Sequence, residues 1–135
     1  MFKSVFIVDD DEVSIFLAEA MLSVEAFAQQ YCTFQNPSEA LQKLMACLQQ
    51  DDDGVQLPDI IFLDLNMPFM SGWDFLDALS PYAEKLSRHT RIYILTSSVD
   101  ADEMKRSKGY SFLTGFLHKP MEEDTIRKIM AEARR

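Results

Sequence analysis

Bulky apolar residues fall into five short runs along this chain, separated by longer stretches in which they recur every three or four positions. The most compact run is Ile60-Ile61-Phe62-Leu63, led in by Pro58-Asp59 and stopped by Asp64. An unbroken run of this length reads as a strand buried on both faces of a parallel sheet. Residues 3–8 form a first such strand, ended by Asp9, Asp10 and Asp11. A weaker run from Gln30 to Phe34 gives the second strand. Arg91 to Leu95 gives the fourth, ending at Thr96-Ser97-Ser98, and Thr114 to His118 the fifth, ending at Lys119-Pro120.

The intervening stretches carry helical spacing. Val13, Phe16, Leu17, Ala20, Met21 and Val24 predict a helix over about 11–25. Asn36-Pro37-Ser38-Glu39 is a helix start, with Asn36 as N-cap and Pro37 in the first turn. Ala40, Leu41, Leu44, Met45 and Leu48 line one face of that helix, which ends in the acidic loop Gln49 to Gly54. Ser71-Gly72 supplies a turn before a helix from Trp73 to Leu79, broken near Pro81 and resuming to about Leu86. Asp100 with Glu103 caps a short helix with a poor apolar face, before Gly109. Ile126, Ile129, Met130 and Ala133 mark the last helix.

Strand and helix thus alternate five times. Right-handed crossovers then require an α/β fold: one five-stranded, doubly wound parallel sheet with five helices on its two faces. The flavodoxin-like strand order 2-1-3-4-5 fits five strands. Residues 1–135 read as one domain, with no room for an attached output domain.

Composition narrows the function. The net charge of −9 argues against nucleic-acid binding through a basic surface. Cys32 and Cys47 lie in apolar patterns and read as buried reduced thiols rather than a disulfide or metal site. The first residues lack a signal-peptide pattern, and no apolar run approaches the ~20 residues that span a bilayer. A cytoplasmic location without membrane attachment is expected. The acidic loop is no calcium site: with Gly54 at the loop glycine, Gln49 and Ile60 fall where the first and last ligands belong.

In the 2-1-3-4-5 order, the carboxyl ends of strands 1 and 3 are neighbours and carry Asp9, Asp10 and Asp64. Strands 4 and 5 end in Thr96 and Lys119. Three carboxylates at one sheet edge repel unless a cation joins them, and an oxygen-only donor set suits magnesium, with manganese also admissible. Thr96 and Lys119 add a hydroxyl donor and a point charge suited to phosphoryl oxygens.

With Val8-Asp9-Asp10, Asp64-Leu65-Asn66-Met67-Pro68 followed by Gly72, Thr96-Ser97 and Lys119-Pro120, the chain resembles the receiver domains of two-component response regulators, of the single-domain, chemotaxis-regulator-like type. The resemblance covers the whole chain. It implies that Asp64 is the phosphoryl acceptor, that Asp10 binds Mg2+ directly and Asp9 through water, and that the Asn66 carbonyl completes the metal site. It implies that Thr96 hydrogen-bonds the phosphoryl group, that Lys119 pairs with it, and that the Lys119-Pro120 bond is cis. The phosphodonor is then a sensor histidine kinase or a histidine phosphotransfer protein, and the signal passes to a separate, unidentified protein target. Phe116 stands where many members carry the switch tyrosine, so the switch pair is Thr96 and Phe116. Asn66 and the uncharged Ser98 stand where the family tunes dephosphorylation.

Two other readings compete, a receiver fold that never takes phosphate, although no site residue is missing, and an enzyme. Asp9-Asp10-Asp11-Glu12-Val13 also matches the motif of haloacid-dehalogenase-type phosphatases, with Asp9 as nucleophile and Asp11 as general acid. Those enzymes need a late acidic pair at a strand end after the lysine, whereas Glu122-Glu123-Asp124 here suits the first turn of the last helix. That reading also leaves the Asp64 segment unexplained.

Overall fold

Two chains of apolar side chains, one on each face of a single sheet, hold this molecule together. The computed structural model describes residues 1–50, 56–97 and 100–133. In chain order the elements are β1 (Phe2–Val8), α1 (Glu12–Val24), β2 (Ala28–Phe34), α2 (Pro37–Leu48), β3 (Ile60–Leu63) and α3 (Gly72–Leu79). A 3-10 turn (Ser80–Tyr82), α4 (Ala83–His89), β4 (Arg91–Thr96), α5 (Ala101–Ser107), β5 (Leu113–His118) and α6 (Glu123–Ala133) follow. The five strands are parallel, in the order β2-β1-β3-β4-β5. The break expected at Pro81 is that 3-10 turn, which separates α3 from α4. The acidic loop 51–54 lies outside the described residues.

Successive strand residues point to opposite faces, which sorts the core into two layers. Ile61 and Leu63 join Phe6, Val8, Ile92 and Ile94 beneath α2, α3 and α4, whose Leu44, Phe75, Leu76, Leu79 and Leu86 complete that layer. Ile60 and Phe62 join Val5, Ile7 and Leu95 beneath α1 and α6, through Ile15, Ala18, Leu22, Ile126 and Ile129. β3 is buried along its whole length, as its unbroken apolar run requires.

The orientation of α1 departs from the apolar repeat that marks it. The face it buries is Ile15, Ala18 and Leu22. Val13, Phe16, Leu17, Met21 and Val24 instead line the outer surface, with Phe16 69% and Val24 83% exposed. The helix is apolar on both sides, so its periodicity identifies a helix without identifying the inward face. Its end explains the choice. Ala26 adopts φ 51°, its N–H donates to the Ser23 carbonyl at 3.0 Å, and the Phe27 N–H donates to the Leu22 carbonyl at 3.1 Å. This is a Schellman closure with alanine in the left-handed position that glycine usually takes. It seals Leu22 against Phe27, both fully buried. That contact rotates the Ile15-Ala18-Leu22 face onto the sheet.

The other helix starts follow their sequence signals. The Asn36 side chain accepts from the Ser38 N–H at 3.0 Å, and the Asp100 side chain from the Glu103 N–H at 2.8 Å. Ser71 and Asp74 add a reciprocal capping box at α3, where the sequence alone suggested only a turn. Both cysteines are free thiols rather than disulfide partners, half-buried rather than buried. Among the described residues, no helix is long and apolar enough to cross a membrane.

Candidate functional site

Three of the candidate site residues, Asp9, Asp64 and Lys119, stand one step beyond a strand, and a backbone bond to the neighbouring strand pins each there. The Asp9 N–H donates to the Phe34 carbonyl at 3.0 Å, the Asp64 N–H to the Val8 carbonyl at 2.9 Å, and the Lys119 N–H to the Thr96 carbonyl at 2.7 Å. The sheet ladder therefore continues just far enough to fix these side chains at the carboxyl edge, where open α/β sheets bind ligands. The loop after Asp64 folds back at once, with the Gly72 N–H donating to the Leu65 carbonyl at 2.9 Å. A Cβ on Gly72 would stand 2.7 Å from the Asp64 carbonyl oxygen, so α3 can begin this close to the site only with glycine there.

Carboxylate oxygens of Asp9, Asp10 and Asp64 all lie within 4.8 Å of one another. Asp9 and Asp64 are buried, and Asp10 is on the exposed side of the cluster. The Lys119 ammonium bridges the buried pair, 2.6 Å from Asp9 Oδ2 and 3.4 Å from Asp64 Oδ1. Burial raises the Asp64 carboxyl to a pKa of about 6, and the neighbouring Asp9 charge adds to the rise while Lys119 opposes it. Burial also pulls the Lys119 ammonium down, but its bond to Asp9 and the charges of Asp64 and Asp9 outweigh this and leave its pKa raised. One ammonium does not neutralise three carboxylates. The donor set, all hard oxygens with excess negative charge, fits a divalent cation such as magnesium.

Asp9 and Asp11 each already accept a backbone N–H. Asp9 Oδ1 accepts from the Asp11 N–H at 3.0 Å while Oδ2 accepts from Lys119. Asp11 is the N-cap of α1, its side chain accepting from the Val13 N–H at 3.0 Å. A nucleophilic Asp9 with Asp11 as general acid, the phosphatase alternative, would have to break both arrangements. Asp64 carries no such backbone bond among those described for its side chain.

Thr96 is fully buried at the end of β4. Asn66 lies exposed in the loop between the buried Leu65 and Met67. The Lys119-Pro120 bond is cis. Phe116 pairs in register with Ile94 and is half-buried against the α2–α4 layer. Ser98 lies outside the described residues. α5 buries none of its residues, in line with its poor apolar face. Its attachment is instead an aromatic cluster: the Arg106 guanidinium sits 4.7 Å from the Trp73 ring centre, Trp73 stacks on Tyr110 at 5.7 Å, and the Tyr110 hydroxyl donates to Asp77 Oδ1 at 2.6 Å.

Known proteins match this arrangement. The sequence profile described as the response regulator receiver domain matches residues 5–131. A response regulator from Cytophaga hutchinsonii superposes with a TM-score of 0.85 at 20% identity, covering 98% of this chain and 97% of its own. The chemotaxis protein CheY4 of Vibrio cholerae superposes at 0.74 with 24% identity, covering 98% of each chain. The sensor histidine kinase AruS of Pseudomonas aeruginosa is 30% identical over 74 residues, which are 55% of this chain and 7% of that kinase.

Proposed function

The chain belongs to the response regulator receiver family of two-component systems, and from that premise we propose that it accepts a phosphoryl group from a protein phosphohistidine onto Asp64. The observation that carries this reading is the convergence of Asp9, Asp10 and Asp64 at one sheet edge, with Lys119 between the two buried carboxylates.

In the proposed transfer, an Asp64 carboxylate oxygen attacks phosphorus, the new O–P bond forms as the N–P bond to the donor imidazole breaks, and that nitrogen leaves with the bond's electrons. Above its pKa of about 6, Asp64 is ionised and competent as the nucleophile. Lys119 is placed to neutralise charge on the phosphoryl oxygens, and the fixed strand ends supply positioning. Asp10, Asp64 and the Asn66 carbonyl would hold Mg2+ directly, with Asp9 acting through water. When bound, the ion would supply charge neutralisation and a template for the phosphoryl oxygens.

The test uses acetyl phosphate as the donor. With Mg2+ the wild type is expected to gain one phosphoryl group, and with chelator it is expected to gain none. Asp10→Ala is expected to abolish both labelling and the change in Trp73 fluorescence on adding Mg2+. Equal Mg2+ affinity in Asp10→Ala and wild type would contradict this site.

The donor is a sensor histidine kinase or a histidine phosphotransfer protein. It would rest on the outward apolar stripe of α1. A groove of about 400 Å3 between Leu17, Met21, Leu95, Ser97 and Pro120 runs from that stripe to Lys119.

The output runs through Thr96 and Phe116 in this proposal. The Thr96 hydroxyl is drawn to the phosphoryl group, and the space it leaves admits the Phe116 ring. A cavity of about 300 Å3 lined by Ser107, Tyr110, Leu113, Gly115 and Phe116 already adjoins that ring. Phe116 has no hydroxyl to fasten it, so the switch works by packing and biases the α5–β5–α6 face toward a separate protein target. Beryllofluoride is expected to change amide hydrogen exchange in α5 and β5 and to leave α2 unchanged. Phe116→Ala is expected to keep labelling on Asp64 but lose that response. Exchange changes confined to the residues around Asp64 would contradict the output route.

A further inference from the structure

Phe69 stands out from every other aromatic residue in the chain. Its ring is fully exposed. Its φ is 69°, and the Met70 N–H donates to the Pro68 carbonyl at 2.8 Å, so Phe69 is the apex of a three-residue turn. A γ-turn with positive φ at its centre is rare and strained, and glycine or asparagine fits such a conformation far better. The fold therefore holds a bulky ring on a strained backbone and gains no buried contact from it. Strain of this kind, where the rest of the structure does not explain it, points to function.

Its position narrows that function. Phe69 lies three residues beyond Asn66 and lines a cleft of about 260 Å3 that also includes Asp10, Asn36, Pro37 and Pro68. Asp10 belongs to the carboxylate cluster, so this cleft opens on the rim of the site. The α1 stripe flanks the same mouth through the groove that reaches Lys119. The mouth is thus charged at its floor and apolar on two of its banks. A protein that brings a phosphohistidine to Asp64 must come within bonding distance of that floor, and its surface around the histidine must meet this rim. A target that reads the α5–β5–α6 face has no such requirement. Phenylalanine is among the side chains enriched at the cores of protein interfaces, where a few well-packed anchors dominate the binding energy.

We propose that Phe69 is an anchor for the phosphohistidine-bearing donor protein, inserting into an apolar pocket beside the donor histidine and so selecting among donors. The proposal rests on the phosphoacceptor reading above. Phe69 touches no reacting atom, and its part is docking.

The experiment compares wild type, Phe69→Gly, Phe69→Asn, Phe69→Trp and Leu17→Glu with two kinds of donor. One is acetyl phosphate. The other is the fastest donor to wild type from a set of purified, radiolabelled histidine phosphotransfer domains. Phe69→Gly and Phe69→Asn are expected to transfer from the protein donor roughly thirtyfold more slowly at low donor concentration, the loss typical of an interface anchor. The limiting rate at saturating donor is expected to be retained, so the change falls on KM. Phe69→Trp is expected to keep fast transfer, and Leu17→Glu to be slow for its place on the α1 bank. Acetyl phosphate is expected to label wild type and the three Phe69 variants alike. Thermal midpoints of Phe69→Gly and Phe69→Asn are expected to equal or exceed that of wild type, because the turn suits both residues.

Several outcomes would overturn the proposal: unchanged protein-donor transfer in Phe69→Gly while Leu17→Glu is slow, a lower melting midpoint in Phe69→Gly that shows the ring stabilising the fold, or no transfer to wild type from any protein donor while acetyl phosphate works. Failure of acetyl phosphate to label wild type would instead remove the phosphoacceptor reading on which it rests.

Discussion

Removing the Lys119 ammonium is expected to destabilise the metal-free protein by about 3 kcal/mol at neutral pH, the loss typical when one partner of a buried ion pair is deleted. Asp9 and Asp64 are both buried, and Lys119 lies 2.6 and 3.4 Å from their oxygens. In Lys119→Ala the two carboxylates face each other and Asp10 without the ammonium between them. Because Lys119 lowers the Asp64 pKa, its removal lets that pKa climb above about 6. Near pH 5 Asp64 is then protonated in both wild type and variant, so its part of the deficit disappears and only the Asp9 part remains. Urea denaturation at both pH values measures this. Saturating Mg2+ is expected to recover part of the neutral-pH loss by offsetting the same charge. A deficit of the same size at both pH values would show that Lys119 acts through packing of its stem instead. Labelling by acetyl phosphate is expected to be lost, since the charge opposite the phosphoryl oxygens is gone.

Asp64→Asn is expected to do the opposite to stability. The folded pKa of about 6 lies above the ordinary value of 3.8. Between these two values the folded state keeps a proton that the unfolded chain has released. Folding stability therefore falls as pH rises through this window, then levels off above the folded value. The full shift corresponds to about 3 kcal/mol. Asparagine has no such proton, so the metal-free variant is expected to lack this slope and to exceed the wild type by ~2 kcal/mol at neutral pH. It is also expected to lose the Mg2+ stabilisation that a bound ion gives the wild type, about 2.7 kcal/mol at a hundredfold excess over Kd. Parallel stability curves for the two proteins between pH 4 and 6 would contradict the assigned cause, burial of the charged carboxylate.

These effects concern residues that could be read from the sequence because each ends an apolar run. Ile60 to Leu63 had to be a fully buried strand, which placed Asp64 at the sheet edge. The strand order then brought Asp9, Asp10 and Lys119 beside it. What the sequence hid is side-chain direction where two solutions have similar patterns. α1 offers an apolar residue on nearly every face, and only the Leu22–Phe27 closure in three dimensions decides which one turns inward. Asp9 and Asp10 look equivalent as a pair, yet one is buried against Lys119 and the other is exposed. The Trp73–Arg106–Tyr110 cluster joins residues far apart in the chain, and no local pattern announces it. Phe69 does carry a local signal: a phenylalanine directly after Asn66-Met67-Pro68 occupies a turn that favours small or polar residues.

The site of covalent modification tests the central claim most directly. Wild-type protein treated with Mg2+ and acetyl phosphate, trapped by borohydride reduction and digested, should yield a single modified peptide with the change on Asp64. Modification on Asp9, or the absence of any trapped aspartate, would contradict the account.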